Sequence, residues 1–168
     1  MTKTKYIQAY DIGETLATSD RDVYLNQILG KGVSFKTDPI RYSAAQVEGI
    51  KKGRINVWPL EGIVEQLEVQ INKGSEIIAI TQGTREMAEA FLEGSDLRKY
   101  ISRLYATDRK TAELFVSIFE ELYSKNRIIQ NYHDDNMENI IEARKAAEMI
   151  MKKYSLTFKT HLVGDRNV

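Results

Sequence analysis

Short apolar runs alternate along this chain with segments of helical periodicity, and this alternation constrains the fold more than any other feature. The strand-like runs lie at residues 6–10, 76–81, 104–105 and 128–132, and helical patterns follow at residues 84–92, 111–123 and 137–153. Strands that alternate with helices are typical of parallel sheets, whose connections need a crossover of helix length. We therefore expect an α/β fold with a doubly wound parallel sheet and helices on both faces.

The segment between the first two strand-like runs is much longer than one crossover connection requires. Helical periodicity at residues 21–29 and 40–52 predicts two extra helices there, so we interpret residues 17–56 as a small helical cap. Residues 1–16 and 57–168 then form the α/β core. Trp58, Pro59 and Leu60 predict the start of the crossover helix, with Pro59 in its first turn and Gly74 after its end.

Composition excludes several classes of protein. The chain has 168 residues, of which 42% are hydrophobic, enough for the core of one domain. Its formal net charge is zero, so no basic surface for nucleic acid is expected, and the absence of cysteine excludes disulfides and thiolate sites. The first apolar stretch is too short for a signal sequence or membrane span, so we expect a cytoplasmic protein of undetermined oligomeric state.

Polar side chains end the predicted strands. Asp11 follows the first strand, Thr81 ends the second, and Asp134 and Asp135 follow the last. The carboxyl ends of parallel strands meet at one edge of the sheet, where ligands bind in such folds. The residue types suit phosphoryl chemistry: Asp11 attacks phosphorus, Thr81 donates to a phosphate oxygen, and Asp134 with Asp135 holds Mg²⁺.

Lys110 lies in the predicted first turn of the helix at residues 111–123. A cation at a helix N-terminus opposes the helix dipole, at a cost of a few tenths of a kcal/mol. A phosphate or carboxylate group close to Lys110 would offset that cost.

Each candidate also has a purely structural interpretation. In this interpretation Asp11 and Thr81 do no more than form hydrogen bonds with the nearby backbone, and Lys110 is a solvated surface residue. Asp135 with Glu138 fits a capping box for the following helix. We interpret His133 as a strand-end residue rather than a metal ligand, and residues 164–167, which read Gly-Asp-Arg-Asn, as a tail.

The ordered set of motifs resembles the haloacid dehalogenase superfamily over nearly the whole chain. Residues 11–16 read Asp-Ile-Gly-Glu-Thr-Leu and are similar to the first motif, Asp-x-Asp-Gly-Thr-Leu. The strand that ends in Thr81, followed by Gln82 and Gly83, resembles the second motif. Lys110 takes the position of the third motif's lysine. Residues 134–140 resemble the acidic fourth motif and the start of its helix.

This resemblance implies a Rossmann-like core with a cap and a Mg²⁺-dependent hydrolase, most simply a phosphatase that acts on a small phosphorylated molecule through an aspartyl-phosphate. The implied residues are Asp11, Thr81, Lys110 and Asp135 for catalysis; Thr81, Gln82, Gly83 and Lys110 for phosphate binding; and Asp11, the Gly13 carbonyl, Asp134 and Asp135 for the metal.

Gly13 departs from the family pattern. Phosphatases of the superfamily have an aspartate at this position, which protonates the leaving group and then activates water. Loss of a positioned general acid and base costs roughly 10²–10⁴-fold in rate. Glu14 is adjacent but is expected to point in another direction. Two alternatives therefore stay open: a catalytically impaired binding or regulatory protein, and a hydrolase like the dehalogenases and phosphonatases, which also lack this aspartate.

Overall fold

The computed structural model describes residues 3–164, so residues 165–167 of the expected tail lie outside the described part. The strands are β1 (Lys5–Tyr10), β2 (Ala17–Ser19), β3 (Val57–Pro59), β4 (Glu76–Gln82), β5 (Ile101–Thr107), β6 (Arg127–Asp134) and β7 (Lys159–Leu162). The helices are α1 (Arg21–Leu29), α2 (Pro39–Lys51), α3 (Ile63–Asn72), α4 (Arg85–Gly94), α5 (Ala112–Tyr123) and α6 (Met137–Tyr154), with a 3₁₀ turn at Arg98–Tyr100.

Five strands form one parallel sheet in the order β5-β4-β1-β6-β7. From the central strand β1 the chain winds outward to β4 and β5 on one side, and then returns to add β6 and β7 on the other. The winding direction therefore reverses beside β1, and such a reversal opens a crevice at the carboxyl ends of the strands. The doubly wound, Rossmann-like sheet predicted from the sequence is confirmed.

The sheet separates two apolar layers because successive side chains of a strand point to opposite faces. In β4, Ile78 and Ile80 belong to the cluster that contains the buried residues of α5 and α6. Ile77 and Ala79 belong to the cluster that contains the buried residues of α3 and most of those of α4. Both faces of the strand are thus buried, which explains its almost continuous apolar sequence.

Two sequence predictions for the first crossover differ in outcome. The predicted helix start at Trp58 is wrong, because Pro59 ends β3 and pairs with Ala17 of β2. The helix begins at Ile63, after Gly62 in a left-handed conformation with φ of 80°. Gly74 follows the helix end with φ of 93°, as predicted. Proline can occupy this strand end because a short edge strand does not need every backbone donor.

Two strands of the sheet differ from the sequence prediction: β5 is longer than predicted, and β7 was not predicted. The short strand expected at residues 104–105 is a seven-residue edge strand, β5, with exposed and half-buried positions. None of the four residues of β7 is buried, and the buried apolar residue Phe158 precedes the strand, so β7 itself has no hydrophobic pattern that would predict it. Edge strands carry a weaker hydrophobic pattern than central strands because they are covered less completely.

Residues 17–56 contain β2, α1 and α2. β2, at the start of this segment, pairs antiparallel with β3, which directly follows the segment. The segment has its own small apolar cluster, formed by Leu25, Leu29, Ala45 and Ile55. α2 packs on α4 of the remaining fold. The division into cap and core stays a prediction. Within residues 3–164, no helix combines the length and apolarity that crossing a bilayer requires.

Candidate functional site

Asp11 follows the last residue of β1, and its backbone N–H extends the pairing with β6 by donating to the His133 carbonyl at 2.8 Å. The chain then turns at once: the Ile12 carbonyl accepts from the backbone N–H groups of Thr15, Leu16 and Ala17. Glu14 adopts φ of 60° in this turn. The turn leaves the Asp11 carboxylate at the carboxyl edge of the sheet, with only 9% of the residue exposed.

Lys110 precedes α5 rather than lying in its first turn, because Thr111 is the N-cap and accepts from the Leu114 N–H. This corrects the sequence prediction. The ammonium group is buried and donates to Asp11 Oδ1 at 2.8 Å, to Asp134 Oδ2 at 2.8 Å and to the Tyr132 hydroxyl at 2.9 Å. All three donors of the ammonium group are therefore used, and two carboxylates compensate its charge.

Asp134 is fully buried and both of its oxygens accept hydrogen bonds. Oδ1 accepts from the Asn136 N–H at 2.9 Å, and Oδ2 accepts from Lys110, from Asn139 at 3.1 Å and from the Tyr132 hydroxyl. Burial works to raise the pKa of Asp134, but the Lys110 charge and these donors outweigh it and hold the pKa below its usual value. Asp134 is thus an ionised anchor for Lys110.

Asp135 does not cap α6. Asn136 is the N-cap, and its side chain accepts from the Glu138 N–H at 2.9 Å, so the capping-box interpretation is wrong. The Asp135 carboxylate instead approaches Asp11, and oxygens of Asp11, Asp134 and Asp135 lie within 4.8 Å of one another. Asp135 is the most exposed of the three.

The electrostatics of this carboxylate group follow from its crowding. Partial burial, then the charge of Asp11 and a hydrogen bond with it, raise the pKa of Asp135 to about 7. Burial also raises the pKa of Asp11, although Lys110 opposes that shift. Because carboxylates this close repel one another when ionised, Asp11 and Asp135 both keep their protons to a higher pH than an isolated aspartate does.

Of the residues at the end of β4, Thr81 faces the cavity, whereas Gln82 and Gly83 form hydrogen bonds that hold the end of the strand in place. Thr81 is buried and lines the same cavity as Asp11. Gly83 donates its backbone N–H to the Thr107 carbonyl at 2.8 Å, and the Gln82 side chain donates to the Asp108 carbonyl at 2.9 Å. These two bonds tie the end of β4 to the loop after β5. The Gly83 amide is consequently engaged within the protein, while Thr81 faces the cavity.

A cavity of about 260 Å³ opens above the carboxylates. Its walls contain polar residues from the carboxyl edge of the sheet together with residues of α1, α2, α4 and the loop between α1 and α2. The lining residues outside the predicted site are Ile12, Arg21, Phe35, Tyr42, Gln46, Met87, Ala88, Phe91, Asn136 and Asn139. Residues 17–56 thus supply part of the wall of the site.

Gly13 also lines this cavity, and a Cβ placed on it would have no atom within 4 Å. Space for a side chain exists where the family pattern has an aspartate. Glu14 does not replace it, because its carboxylate accepts from the Thr18 hydroxyl at 2.7 Å and the residue is not part of the cavity lining.

Sequence reasoning missed Tyr132, Asn139, Arg21 and Gln46. Tyr132 lies two residues before Asp134 on β6, so the period of two places it on the same face, a usable signal. Asn139 lies in the first turn of α6, close to the strand end that carries Asp134. Arg21 and Gln46 meet only because α1 packs on α2, and no local pattern indicates that contact.

Comparison with solved structures places the fold among known hydrolases. One similar structure is a haloacid dehalogenase-like family hydrolase from Xanthomonas campestris, with TM-score 0.50 and 15% identity over 81% of this chain and 76% of that one. A dehalogenase with an intermediate complex gives TM-score 0.62 and 12% identity over 99% and 88% of the two chains. The class C acid phosphatase from Bacillus anthracis gives TM-score 0.60 and 16% identity over 99% and 69%.

No protein-family model and no curated protein sequence matches the chain. At these low identities, structural likeness establishes the fold. The chain therefore has the fold of the haloacid dehalogenase-like hydrolases.

Proposed function

We propose that this protein is a Mg²⁺-dependent hydrolase that cleaves a small phosphate ester or anhydride through an aspartyl-phosphate on Asp11. The observation that carries the proposal is the buried contact between Lys110 and Asp11, with Asp134 and Asp135 around it. An ammonium group fixed on Oδ1 orients the carboxylate. Oδ2 faces the Thr15 hydroxyl at 3.4 Å, a long and weak hydrogen bond, and is the oxygen free to attack.

The donor set fits a magnesium ion. Mg²⁺ prefers oxygen ligands from one or two carboxylates together with substrate phosphate. Asp11 and Asp135 can supply such oxygens, since Asp134 has both of its oxygens occupied by protein donors. Three carboxylates against one ammonium leave an excess of negative charge when all are ionised, which a divalent cation would neutralise. Bound there, Mg²⁺ would offset the negative charge of both the carboxylates and the phosphoryl group.

The chain's own residues then have distinct tasks in two steps. Asp11 Oδ2 forms a bond to phosphorus while the bond from phosphorus to the leaving group breaks and the leaving group keeps the electron pair. Water next attacks the same phosphorus; the bond to Asp11 breaks with its electron pair returning to the carboxylate, and the protons of the water leave on the released phosphate. Thr81 lines the cavity, and its hydroxyl donates to a phosphoryl oxygen. Lys110 has its three donors engaged within the protein, so it acts by keeping the Asp11 carboxylate in position throughout and by placing a positive charge beside it.

Gly13 limits the leaving group. Because position 13 has no side chain, the loop after β1 supplies no carboxyl group two residues after the nucleophile to protonate a departing alkoxide. A leaving group of low pKa, such as a carboxylate or a nitrophenolate, needs no such proton. The proposed substrates are therefore activated esters and mixed anhydrides rather than alkyl phosphates.

Hydrolysis of acetyl phosphate and p-nitrophenyl phosphate tests the proposal directly. We expect turnover with Mg²⁺, loss on chelation, loss in Asp11→Asn, and retention in Asp22→Asn, an exposed aspartate of α1. Acid quenching should trap a phosphoryl group on the peptide that contains Asp11, seen by mass spectrometry. Equal activity in Asp11→Asn would refute the mechanism.

Two other functions are supported by specific features. Gly13 favours a protein that binds metal and phosphate without turnover. For that function, Mg²⁺ with beryllium fluoride should raise the melting temperature although no substrate is hydrolysed.

The dehalogenase among the structural neighbours and the partly apolar cavity favour cleavage of carbon–halogen bonds. Release of chloride from a haloacid without magnesium would select that activity.

A further inference from the structure

Arg21, the first residue of α1, lines the same cavity as the carboxylates and carries the positive charge of its outer wall. Its Nη1 donates to Gln46 Oε1 at 2.9 Å, and its guanidinium carbon lies 5.9 Å from the centre of the Phe91 ring. Among residues 3–164, no carboxylate lies within ion-pair distance of this guanidinium. A guanidinium has five N–H donors, so most of them are left for another partner.

Gln46 holds this arginine in place without neutralising it. Gln46 is fully buried, and its amide nitrogen lies 3.0 Å from the Met87 sulfur, so both ends of its amide group are engaged. A glutamate here would form a buried ion pair with Arg21. The neutral amide instead orients the guanidinium and leaves its charge uncompensated, which is costly unless an anion arrives.

The rest of the outer wall is apolar or aromatic. Phe35, Tyr42, Met87 and Phe91 line the cavity between its polar parts. The other cation near the site, Lys110, has all three donors engaged with Asp11, Tyr132 and Asp134. The cavity thus has an anionic, metal-compatible floor, an apolar wall and one available guanidinium.

We propose that Arg21 binds a second oxyanion on the substrate, so that the substrate is a small phosphorylated acid with a short carbon chain between its two anionic groups. The assignment rests on the proposed function, since the floor must hold the phosphoryl group. The planar fork of arginine matches a carboxylate or a phosphate in a bidentate pair. A volume of about 260 Å³ restricts the ligand to a small molecule.

Binding of non-hydrolysable phosphonates with Mg²⁺, measured by calorimetry, tests this without turnover. Propylphosphonate carries one anionic group, whereas 3-phosphonopropionate and propane-1,3-bisphosphonate carry a second. We expect one of the doubly anionic ligands to bind about 10- to 100-fold more tightly than propylphosphonate, as a charge-assisted pair provides. Which of the two binds more tightly identifies the second oxyanion.

Variants locate the effect. Arg21→Met should abolish the preference, with a much smaller effect on the binding of propylphosphonate than on that of the doubly anionic ligands, and Arg21→Lys should retain part of the preference. Arg41→Met, at an exposed arginine of α2 outside the cavity lining, is the matched control and should keep the full preference. Gln46→Glu, which places a carboxylate against Arg21, should weaken the preference without removing the arginine, and gives a second test if Arg21→Met is poorly folded.

The outcomes separate the two proposals. If no phosphonate binds, the phosphate site is absent and the proposed function fails together with this assignment. If all three bind equally, the proposed function survives and the role of Arg21 is refuted. A preference that persists in Arg21→Met refutes it as well.

Discussion

The ammonium group of Lys110 donates a 2.8 Å hydrogen bond to Oδ1 of Asp11, although the two residues are 99 positions apart in the chain. Both groups are buried, and the same ammonium also contacts Asp134. Each charge is compensated chiefly by the others. Removal of one member therefore leaves buried charge without a partner, which ties the stability of the fold to the arrangement of the site.

Lys110→Met should lower the free energy of unfolding by about 3–5 kcal/mol at pH 7, the usual cost of breaking a buried ion pair. Methionine keeps most of the side-chain stem, so the loss reports the charge. Urea unfolding measures it, with chelator present to exclude bound metal. Lys125→Met, which removes a half-exposed lysine 3.8 Å from Glu121, is the control and should cost less than about 1 kcal/mol. Similar losses in both variants would contradict the prediction.

Gly13→Asp should raise the hydrolysis of alkyl phosphates by about 10²–10⁴-fold, because the new carboxyl group can protonate a poor leaving group. The open space around Gly13 accommodates the side chain. Acetyl phosphate, whose leaving group needs no proton, should respond far less. Steady-state rates on both substrates measure the contrast, and Gly13→Asn supplies the bulk without the acid. An equal gain with asparagine would rule out the acid role.

Asp135 should make the metal-free protein more stable as pH falls through 7. Its pKa in the folded protein is about 7, above its usual value of 3.8, so the folded state binds a proton that the unfolded state does not. This contribution is complete below pH 3.8 and is lost as pH rises through 7. Urea unfolding of the wild type and Asp135→Asn in chelator, at pH 5.5 and 8, measures it; identical pH slopes in the two proteins would disprove it.

His133 should act in the opposite direction. Its ring stacks between Tyr10 and His161, with ring centres 4.3 and 4.5 Å away, and burial lowers its pKa to about 4. In the unfolded chain His133 binds a proton as pH falls through 6.5, whereas in the folded protein it stays neutral until about pH 4. Stability is thus lost as pH falls from 6.5 to 4, by about 2–3 kcal/mol.

Comparison of the wild type with His133→Gln by urea unfolding at pH 7 and 4.5 isolates that contribution, since the carboxylates titrate in both proteins. The chain has two histidines, so NMR can follow both rings directly. A titration of His133 near pH 6.5 would contradict the expected linkage.

The sequence predicted four of the sheet's five strands, β1, β4, β5 and β6, and the helices that alternate with them, because each depends on local periodicity; it did not predict β7. It also indicated Asp11, Thr81, Asp134 and Asp135, since a polar residue that ends an apolar strand belongs to one edge of a parallel sheet. Helix starts were less well predicted. Pro59 suits a strand end as well as a first helical turn, and Asn136 competes with Asp135 for the same cap.

The sequence by itself thus determined the α/β class and the strand ends at which polar groups gather, because periodicity and turn chemistry act over a few residues. Only the tertiary structure decided that Lys110 compensates Asp11 and Asp134, that Asp135 is free of the helix cap, and that Gln46 holds Arg21 in the cavity wall. Those contacts join residues distant in the chain, and they depend on how whole elements pack rather than on any local pattern.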